Sequence, residues 1–299
     1  MPEYPDIIIY IERLQNLIKG QTLHRIHIAH PFLLRTAVPP IHAIEGLVVR
    51  DIERMGKRIV FAFADDYFLV LHLMIAGRLH WQAAGGKSPG KQALAALEFP
   101  NGMLTLTEAG TQKRASLHLV QGRDALRQFD RGGLEVMEST PGEFRDAIRR
   151  ENHTLKRALT DPTILSGIGN AYSDEILHRA RLSPVTLTKN LTDDQAAQLY
   201  AAIREVLSEW AARLREEAGD GFPEKVTAFR DEMAVHGRFG KPCPVCGSPV
   251  QRIRYATNET NYCPVCQTGG RLLADRALSR LLKGDWPRTM EELEERRRP

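Results

Sequence analysis

The 299-residue sequence predicts an α+β fold, in which strands and helices occupy separate parts of the chain. Strand patterns fill the first 130 or so residues behind a single leading helix. Helical periodicity dominates beyond Gly132 and Gly133, and all four cysteines fall in one late segment, CPVCGSPVQRIRYATNETNYCPVC. We therefore expect a β-rich N-terminal part, a helical middle part and a small cysteine-held hairpin.

The leading helix is predicted over residues 5–19, because Pro5 suits a first helical turn and Gly20 suits a C-terminal stop. Its apolar residues recur at helical spacing: Ile7, Ile11, Leu14 and Ile18. Three strand patterns follow, LHRIHI, RIVFAF and YFLVLHL. In LEFPNGMLTLT, Asn101-Gly102 between two apolar runs predicts a hairpin with a type I′ turn.

Three helical stretches form the middle part: FRDAIRRENHTLKRALT, AYSDEILHRARL and LTDDQAAQLYAAIREVLSEWAARLREEAG. The last has a capping box at Thr192 and Gln195, and Gly219 at its end. Its predicted buried face consists of Leu199, Ile203, Val206, Trp210 and Leu214. Beyond the cysteines, a helix is predicted near residues 271–283 and a second capping box at Thr289 and Glu292.

Composition excludes some function classes and permits others. Hydrophobic residues make up 42% of the chain, yet no apolar run approaches the roughly 20 residues that a membrane-spanning helix needs. The N-terminus also lacks the basic and apolar regions of a signal peptide, so a cytoplasmic location is expected. A net charge of +4 permits an anionic partner such as nucleic acid without requiring one.

The four cysteines have the spacing of a zinc site. Cys243/Cys246 and Cys263/Cys266 are Cys-x-x-Cys pairs separated by sixteen residues, enough for a β-hairpin that brings both pairs to one ion. The alternatives, two redox dithiols or two disulfides, are disfavoured in a reducing compartment. The sequence predicts one structural zinc ion, because four sulfurs leave no open position for substrate.

The stretch SGIGNAYSDEIL at residues 166–177 predicts a turn suited to phosphate. Two glycines around one apolar residue expose bare backbone, and the following helix offers its positive N-terminus. The alternative is a simple turn between two helices. A lone Gly-x-Gly does not decide between them.

Four features occur in a characteristic order: MPE at the start, Lys57 in RMGKRIVFAF, LTDPTILSGIGNAYSDEIL, and the late four-cysteine hairpin. Together with VLHLMIAGRL and AVHGRFGKPCPVCG, they resemble the formamidopyrimidine-DNA glycosylase and endonuclease VIII family over residues 2–268. The resemblance implies an N-terminal β-sandwich, a helix-two-turn-helix domain and a zinc finger, with DNA crossing between the domains.

The resemblance also implies domain limits and an activity. The expected domains are a catalytic β-sandwich at 1–130, the helix-two-turn-helix domain at 131–235, the zinc finger at 236–270 and a basic tail at 271–299. The implied activity is base-excision repair: a monomer in the bacterial cytoplasm and nucleoid removes oxidised or ring-opened bases from damaged DNA and cleaves the abasic site. The alternatives are a non-catalytic or weakly catalytic damaged-DNA-binding protein on the same scaffold, and an unrelated zinc-ribbon protein that binds nucleic acid.

The opening MPEYPD fits this chemistry, although a frayed terminus is the simpler interpretation. Removal of Met1 leaves Pro2 with a secondary amine, and a terminal amine pKa of about 7.7–8.0 leaves an appreciable neutral fraction at physiological pH. That amine can attack C1′ of a damaged nucleotide, release the base and form a Schiff base. Glu3 is adjacent and is the expected general acid/base.

Other site residues follow from the resemblance alone. It implies that Lys57, on a β-hairpin, contacts the lesion or its phosphate, and that Lys156 and Asn170 hold phosphates beside the flipped nucleotide. Asp6 stands where the family usually has glutamate. Ile75 stands at the position of an intercalating methionine, next to Met74.

Two departures from the family predict a restricted substrate range. Asn258, five residues before Cys263, stands in place of an arginine that binds phosphates, and asparagine supplies no charge. The loop TEAGTQKRASL replaces Asp-Pro-Arg-Arg-Phe-Gly, with Lys113 and Arg114 as expected DNA contacts but Ala115 in place of the aromatic wedge. Weak activity on 8-oxoguanine paired with cytosine is therefore expected.

Overall fold

The computed structural model describes residues 1–85, 93–109, 111–224, 226–227, 229–255, 258–274 and 287–295. It divides into two compact units, the first formed by Met1–Arg131 with Ser208–Ala228 and the second by Gly132–Leu207 with Phe229–Pro299. The predicted α+β class is confirmed, because the strands of the first unit and the helices of the second are segregated along the chain. The finer domain limits stay predictions.

The first unit begins with helix α1, Tyr4–Ile18, which agrees with the predicted helix to one residue at each end. Its N-terminus carries Pro5 in the first turn and Glu3 at the N-cap. Its four fully buried apolar side chains are Ile7, Tyr10, Leu14 and Ile18. The recurrence of these positions every three or four residues explains why the segment folds as an amphipathic helix.

Eight strands of the first unit form two antiparallel four-stranded sheets. They are β1 Arg25–Ile28, β2 Val49–Met55, β3 Arg58–Phe63, β4 Tyr67–His72, β5 Gly77–Ala83, β6 Ala93–Phe99, β7 Gly102–Glu108 and β8 Ser116–Gln121. The sheet orders are β1-β6-β7-β5 and β2-β3-β4-β8. One hydrophobic core includes residues of α1 and of both sheets, which confirms the predicted β-sandwich.

The β6–β7 hairpin is present, but its predicted type I′ turn is wrong. Gly102 is the first residue of β7 and pairs with Phe99, so the two-residue loop is Pro100–Asn101. A Cβ atom on Gly102 would lie 2.4 Å from the Gln82 carbonyl oxygen and 2.5 Å from the Trp81 ring. The glycine is needed because β5 approaches closely, not because the turn requires a positive φ.

The second unit contains α2 Pro141–Arg149, α3 Leu155–Thr160, α4 Asn170–Arg179 and the first part of α5 Asp193–Ala218. The predicted continuous helical stretch at 144–160 is wrong, because α2 and α3 are separate. Between them, the amide of His153 donates to Thr188 Oγ1 at 3.2 Å, and Thr154 caps α3. A side chain distant in sequence therefore satisfies a backbone group that a longer helix would have used.

Helix α5 begins as predicted. The amide of Gln195 donates to Thr192 Oγ1 at 3.2 Å, and Gln195 Oε1 accepts from the Thr192 amide at 3.1 Å, so the capping box is confirmed. The predicted apolar face is also confirmed, since each of its members is at most 5% exposed: Leu199, Ile203, Val206, Trp210 and Leu214.

The hairpin of the second unit consists of β9 Gln251–Tyr255 and β10 Asn258–Tyr262, followed by the short helix α6 Pro264–Thr268. A last helix, α7, spans Met290–Glu295, and the Glu292 amide donates to Thr289 Oγ1 at 3.3 Å, as its capping box predicts. Most of the helix predicted near 271–283 lies outside the described residues. Among the residues that are described, no helix combines the length and hydropathy needed to cross a bilayer.

Candidate active site and metal centre

The N-terminus of the first unit is packed rather than frayed. Pro2 is buried, and Glu3 and Asp6 are only 2% and 1% exposed. The Glu3 amide donates to Asp6 Oδ2 at 2.9 Å, which satisfies a backbone group at the start of α1 that the helix itself leaves unpaired. The helix thus fixes the backbone of Glu3, and its positive end favours both carboxylates.

This environment favours a neutral amine. Burial is the largest effect on the terminal amine of Met1 and lowers its pKa below the usual value, while Arg78 and Lys57 lower it further. Glu3 and Asp6 act in the opposite direction. An amine here loses its proton more readily than an exposed one, which makes it a better nucleophile near neutral pH.

Lys57 lies at the end of the β2–β3 hairpin, as the resemblance implied. Met55 pairs with Arg58, so the turn is Gly56–Lys57, with Gly56 at φ +61°. Arg54 donates from Nη1 to the Gly56 carbonyl at 2.9 Å, and its guanidinium lies 4.7 Å from the centre of the Tyr4 ring. The arginine connects this hairpin end to the first turn of α1.

Two residues that the sequence did not single out belong to this site. Arg78 influences the pKa of the terminal amine and donates from Nη1 to the Gly77 carbonyl at 2.7 Å. The hydroxyl of Tyr10 accepts from the Leu79 amide at 3.3 Å, and burial raises the pKa of Tyr10. Neither residue had a local signal, because the site brings together α1 and β5, which are distant in sequence.

The turn before β5 presents an apolar side chain. The Gly77 amide donates to the Leu73 carbonyl at 2.9 Å, and Met74 adopts φ +52°. Ile75 at its tip is 57% exposed, whereas Met74 is half-buried. Of the two neighbours, Ile75 has the exposure expected of a side chain that enters a base stack.

The loop after β7 carries Ala115 at the position where the resemblance places an aromatic wedge. The carboxylate of Glu108, itself 3% exposed, accepts the amide protons of Arg114 at 2.8 Å and Ala115 at 3.0 Å. The Lys113 ammonium donates to the Glu108 carbonyl. Ala115 is 3% exposed and belongs to the hydrophobic core, so its position faces inward and cannot hold a wedge. Arg114 remains exposed in this loop.

In the second unit, the glycine turn leads directly into α4. Gly167 has φ +83°, Gly169 is the N-cap and Asn170 is the first helical residue. Asn170 Nδ2 donates to the Glu259 carbonyl of β10 at 3.0 Å. The predicted turn is thus tied to the cysteine hairpin, and the four N-terminal amides of α4 supply the partial positive charge that anions prefer.

Lys156 lies inside the second unit, next to α4. Its side chain is buried, at 8% residue exposure, and the ammonium donates to the Asn170 carbonyl at 2.7 Å, Ser173 Oγ at 2.8 Å and Asp174 Oδ1 at 2.6 Å. An ammonium has three protons, and all three have partners within the second unit. The structure thus connects Lys156 to the start of α4, and its contact with a phosphate stays a prediction.

The four cysteines come together as the spacing predicts. Their sulfur atoms lie within 4.8 Å of one another, with Cys246 to Cys263 at 3.4 Å and Cys243 to Cys266 at 3.9 Å. A Zn–S bond of about 2.3 Å requires sulfur separations of roughly 3.8 Å at a tetrahedral site, so the donor set fits zinc. Cys243, Cys246, Cys263 and Cys266 hold one structural zinc ion.

Asn258 lies at the exposed end of this hairpin, opposite Tyr255. The nearby Arg252 guanidinium lies 3.4 Å from Glu259 and 4.1 Å from the centre of the Phe239 ring. Asn258 is therefore accessible, but it brings no positive charge to the position where the resemblance expects one.

Comparisons with known proteins agree with the fold and the zinc finger. The model of the formamidopyrimidine-DNA glycosylase N-terminal domain matches residues 1–117, and that of its H2TH domain matches residues 135–217. A zinc finger found in FPG and IleRS matches residues 240–269. A formamidopyrimidine-DNA glycosylase of Thermus thermophilus is 32% identical over 286 residues, which cover 90% of this chain and all of that protein. The chain belongs to the formamidopyrimidine-DNA glycosylase family.

Other relatives in the family include a formamidopyrimidine-DNA glycosylase of Desulfitobacterium hafniense, 31% identical over 89% of this chain and 100% of that protein. An uncharacterized formamidopyrimidine-DNA glycosylase-like protein of Mycobacterium tuberculosis is 39% identical over 50% of this chain and 94% of its own length. A Lactococcus lactis Fpg, solved with abasic-site DNA, is 26% identical at a TM-score of 0.78, covering 89% of this chain and 99% of that one.

Proposed function

We propose that the chain excises oxidised or ring-opened bases from DNA and cleaves the abasic site through a Schiff base on Pro2. Family membership makes it a base-excision-repair DNA glycosylase, and abasic-site lyase activity is typical of that family. The assignment of Pro2 and Glu3 is supported by the packed N-terminus, because both residues are buried at the start of α1.

In the proposed reaction, Met1 is removed and the Pro2 nitrogen attacks C1′ of the damaged nucleotide. The new N–C1′ bond replaces the glycosidic bond, and the base leaves with a proton. Glu3 protonates the ring oxygen as the sugar opens to an iminium ion. The iminium acidifies the C2′ protons, and loss of one of them expels the 3′ phosphate and breaks the strand.

Lys57 and Arg78 have two roles in this proposal. Their charges lower the pKa of the terminal amine, which keeps more of it neutral. They are also cations beside a site that receives a phosphodiester, and phosphate contacts fix the register of the DNA without reading its sequence. Asp6 holds the Glu3 amide and acts as a positioning residue.

The second unit supplies further proposed DNA contacts. The turn at 166–170 presents Asn170 and the amides of α4 to a phosphate beside the lesion. Ile75 of the first unit supports the duplex where the flipped nucleotide has left, since its side chain is exposed and apolar. Flipping is required because C1′ is inaccessible within a stacked duplex.

The proposed substrate range is narrower than that of a member with the zinc-finger arginine. Asn258 offers a neutral contact, and Ala115 offers no wedge because it is buried. Lesions that are easy to flip, such as abasic sites, ring-opened purines and oxidised pyrimidines, are therefore the preferred substrates. We also propose that the protein works as a monomer in the bacterial cytoplasm, at the nucleoid.

A panel of duplexes, each with one defined lesion, tests the function. Released base is identified by mass spectrometry, and strand cleavage is measured by gel under single-turnover conditions. We expect base release and cleavage with a ring-opened purine, and slower release of 8-oxoguanine opposite cytosine. Absence of base release from every lesion, with DNA binding retained, would favour a binding protein on the same scaffold.

A further inference from the structure

A buried carboxylate in the second unit lies between the elements to which DNA contacts are assigned above. We infer that Asp174 is the positioning residue that fixes the turn at 166–170 to the zinc hairpin, so that both bind the DNA backbone as one surface. This inference rests on the proposed function. It concerns the assembly of the DNA-binding surface and not the chemistry at Pro2.

The contacts of Asp174 come from three different parts of the unit. Its side chain is 0% exposed, and Oδ1 accepts from Lys156 Nζ of α3 at 2.6 Å. Oδ2 lies 2.8 Å from His236 Nδ1 and accepts the Asn261 amide proton of β10 at 3.1 Å. One carboxylate thus joins α3, α4, the segment before the first cysteine pair and the zinc hairpin.

Lys156 extends this network to the proposed phosphate site. The ammonium that neutralises Asp174 also donates to the carbonyl of Asn170, the first residue of α4, at 2.7 Å. Asn170 in turn donates from Nδ2 to the Glu259 carbonyl of β10 at 3.0 Å. The chain of contacts therefore closes on itself: Asp174 is bound to β10 directly, and again through Lys156 and Asn170.

A second link runs through Asn261, which is 1% exposed. Its amide binds Asp174, while its side-chain oxygen accepts the Gly237 amide proton at 2.8 Å. Asn261 is consequently held through its backbone by α4 and through its side chain by the segment before the first cysteine pair. Two elements with only main-chain contacts could slide past one another, whereas this arrangement specifies a single geometry.

A role in stability alone does not explain the choice of residues. Ion pairs that are completely buried are often no more stabilising than apolar side chains of the same volume, because both charges lose their hydration. The contacts of this pair instead converge on Asn170 and β10, the two places where the proposed function puts phosphate contacts. Apolar packing would fix the position of Asn170 relative to β10 less precisely than this hydrogen-bonded network does.

Two substitutions separate positioning from direct DNA binding. Asp174→Asn keeps the shape but loses the charge, and Lys156→Met keeps the volume but removes the cation. For a duplex with a stable abasic-site analogue, we expect each variant to raise Kd by about tenfold or more, and the double variant to raise it no further, because both act through one network. Single-turnover cleavage of an abasic duplex at saturating protein should stay within about twofold.

The salt dependence of Kd provides the decisive readout. The slope of log K against log salt reports phosphate contacts, and loss of one contact changes it by about 0.9. Since Lys156 has internal partners, Lys156→Met should leave the slope unchanged, as should Asp174→Asn. Asp161→Asn, an aspartate of the same unit that caps the exposed turn at 161–163, is the matched control and should leave Kd unchanged.

Two results would overturn the inference. One is a fall in slope of about 0.9 for Lys156→Met, which would make that lysine a direct phosphate contact. The other is an Asp174→Asn Kd within twofold of the natural protein. If Asp174→Asn fails to fold or loses zinc, Lys156→Met decides the question by itself. Absence of lyase activity in the natural protein would contradict the proposed function, while the Kd comparison would still test the positioning role.

Discussion

At the scale of single residues, the start of the chain combines two properties that a nucleophile needs. Pro2 is buried beside Glu3, and burial lowers the pKa of the adjacent terminal amine of Met1. The sequence pointed to Pro2 and Glu3 because a proline behind the initiator methionine followed by a carboxylate is visible locally. It did not point to Arg78, whose place beside the terminus depends on the packing of α1 against the sandwich.

Substitution Glu3→Gln tests the acid/base assignment. The amide has nearly the same size and keeps the N-cap position, but it cannot exchange a proton with the sugar oxygen. We expect nearly unchanged binding of lesion DNA and a single-turnover cleavage rate lower by about 100-fold or more, the usual contribution of such a group. Asp6→Asn is the control, and its single-turnover cleavage rate should fall by less than that of Glu3→Gln. Equal cleavage rates for Glu3→Gln and the natural protein would show that Glu3 is not the general acid/base.

Substitution Arg78→Met tests the cause of the lowered amine pKa. Arg78 disfavours the protonated amine, so its removal raises the pKa and reduces the neutral fraction at any given pH. The pH profile for cleavage of an abasic duplex, which rises as the amine loses its proton, should therefore move to higher pH. Arg114→Met, an exposed arginine of the loop after β7, should leave the midpoint in place. A shift to lower pH, or none, would contradict the assignment.

At the scale of elements, local patterns were sufficient for strands and helices but not for the contacts between them. RIVFAF corresponds to β3 residue for residue, because its run of apolar, β-branched and aromatic residues is typical of a strand buried on both faces. The predicted Asn101-Gly102 turn was wrong because Gly102 is required by the close approach of Trp81 and Gln82 on β5, not by the turn. The internal partner of Lys156 was missed for the same reason, since Asp174 lies eighteen residues away.

The clearest departure from the family is Asn258 in the zinc hairpin, and the substitution Asn258→Arg tests the effect of this departure. A charge-assisted hydrogen bond contributes about 1.5–3 kcal/mol, so we expect tighter binding of lesion duplexes. The slope of log K against log salt should grow by about 0.9, corresponding to one added phosphate contact. The rate of 8-oxoguanine excision opposite cytosine should increase more than the rate of abasic-site cleavage. A variant with unchanged slope and unchanged excision would show that residue 258 does not face the backbone.

At the scale of the whole molecule, the chemistry and the zinc-held elements belong to different compact units. The proposed nucleophile lies in the unit of Met1–Arg131 with Ser208–Ala228, whereas all four cysteines lie in the other unit. Loss of metal should accordingly weaken DNA binding without unfolding the β-sandwich.

Cys263→Ser tests this separation. We expect loss of the stoichiometric zinc, because one missing thiolate opens a site that needs four, and a marked loss of affinity for lesion duplexes. The strand signal in circular dichroism should persist. Ser139→Ala, a serine of the same unit that lies outside the zinc finger, should retain both zinc and affinity. Full DNA affinity in a metal-free preparation would contradict the proposed dependence.

The central claim is that the Pro2 amine forms the Schiff base. The most direct measurement is borohydride trapping on an abasic duplex, followed by mass spectrometry of the adduct peptide, for the processed protein, an N-terminally tagged form and Lys57→Met. The proposal predicts an adduct on Pro2 in the processed protein and in Lys57→Met, and none in the tagged form, where a peptide bond occupies the amine. An adduct mapped to Lys57, or equal trapping with and without the tag, would contradict it.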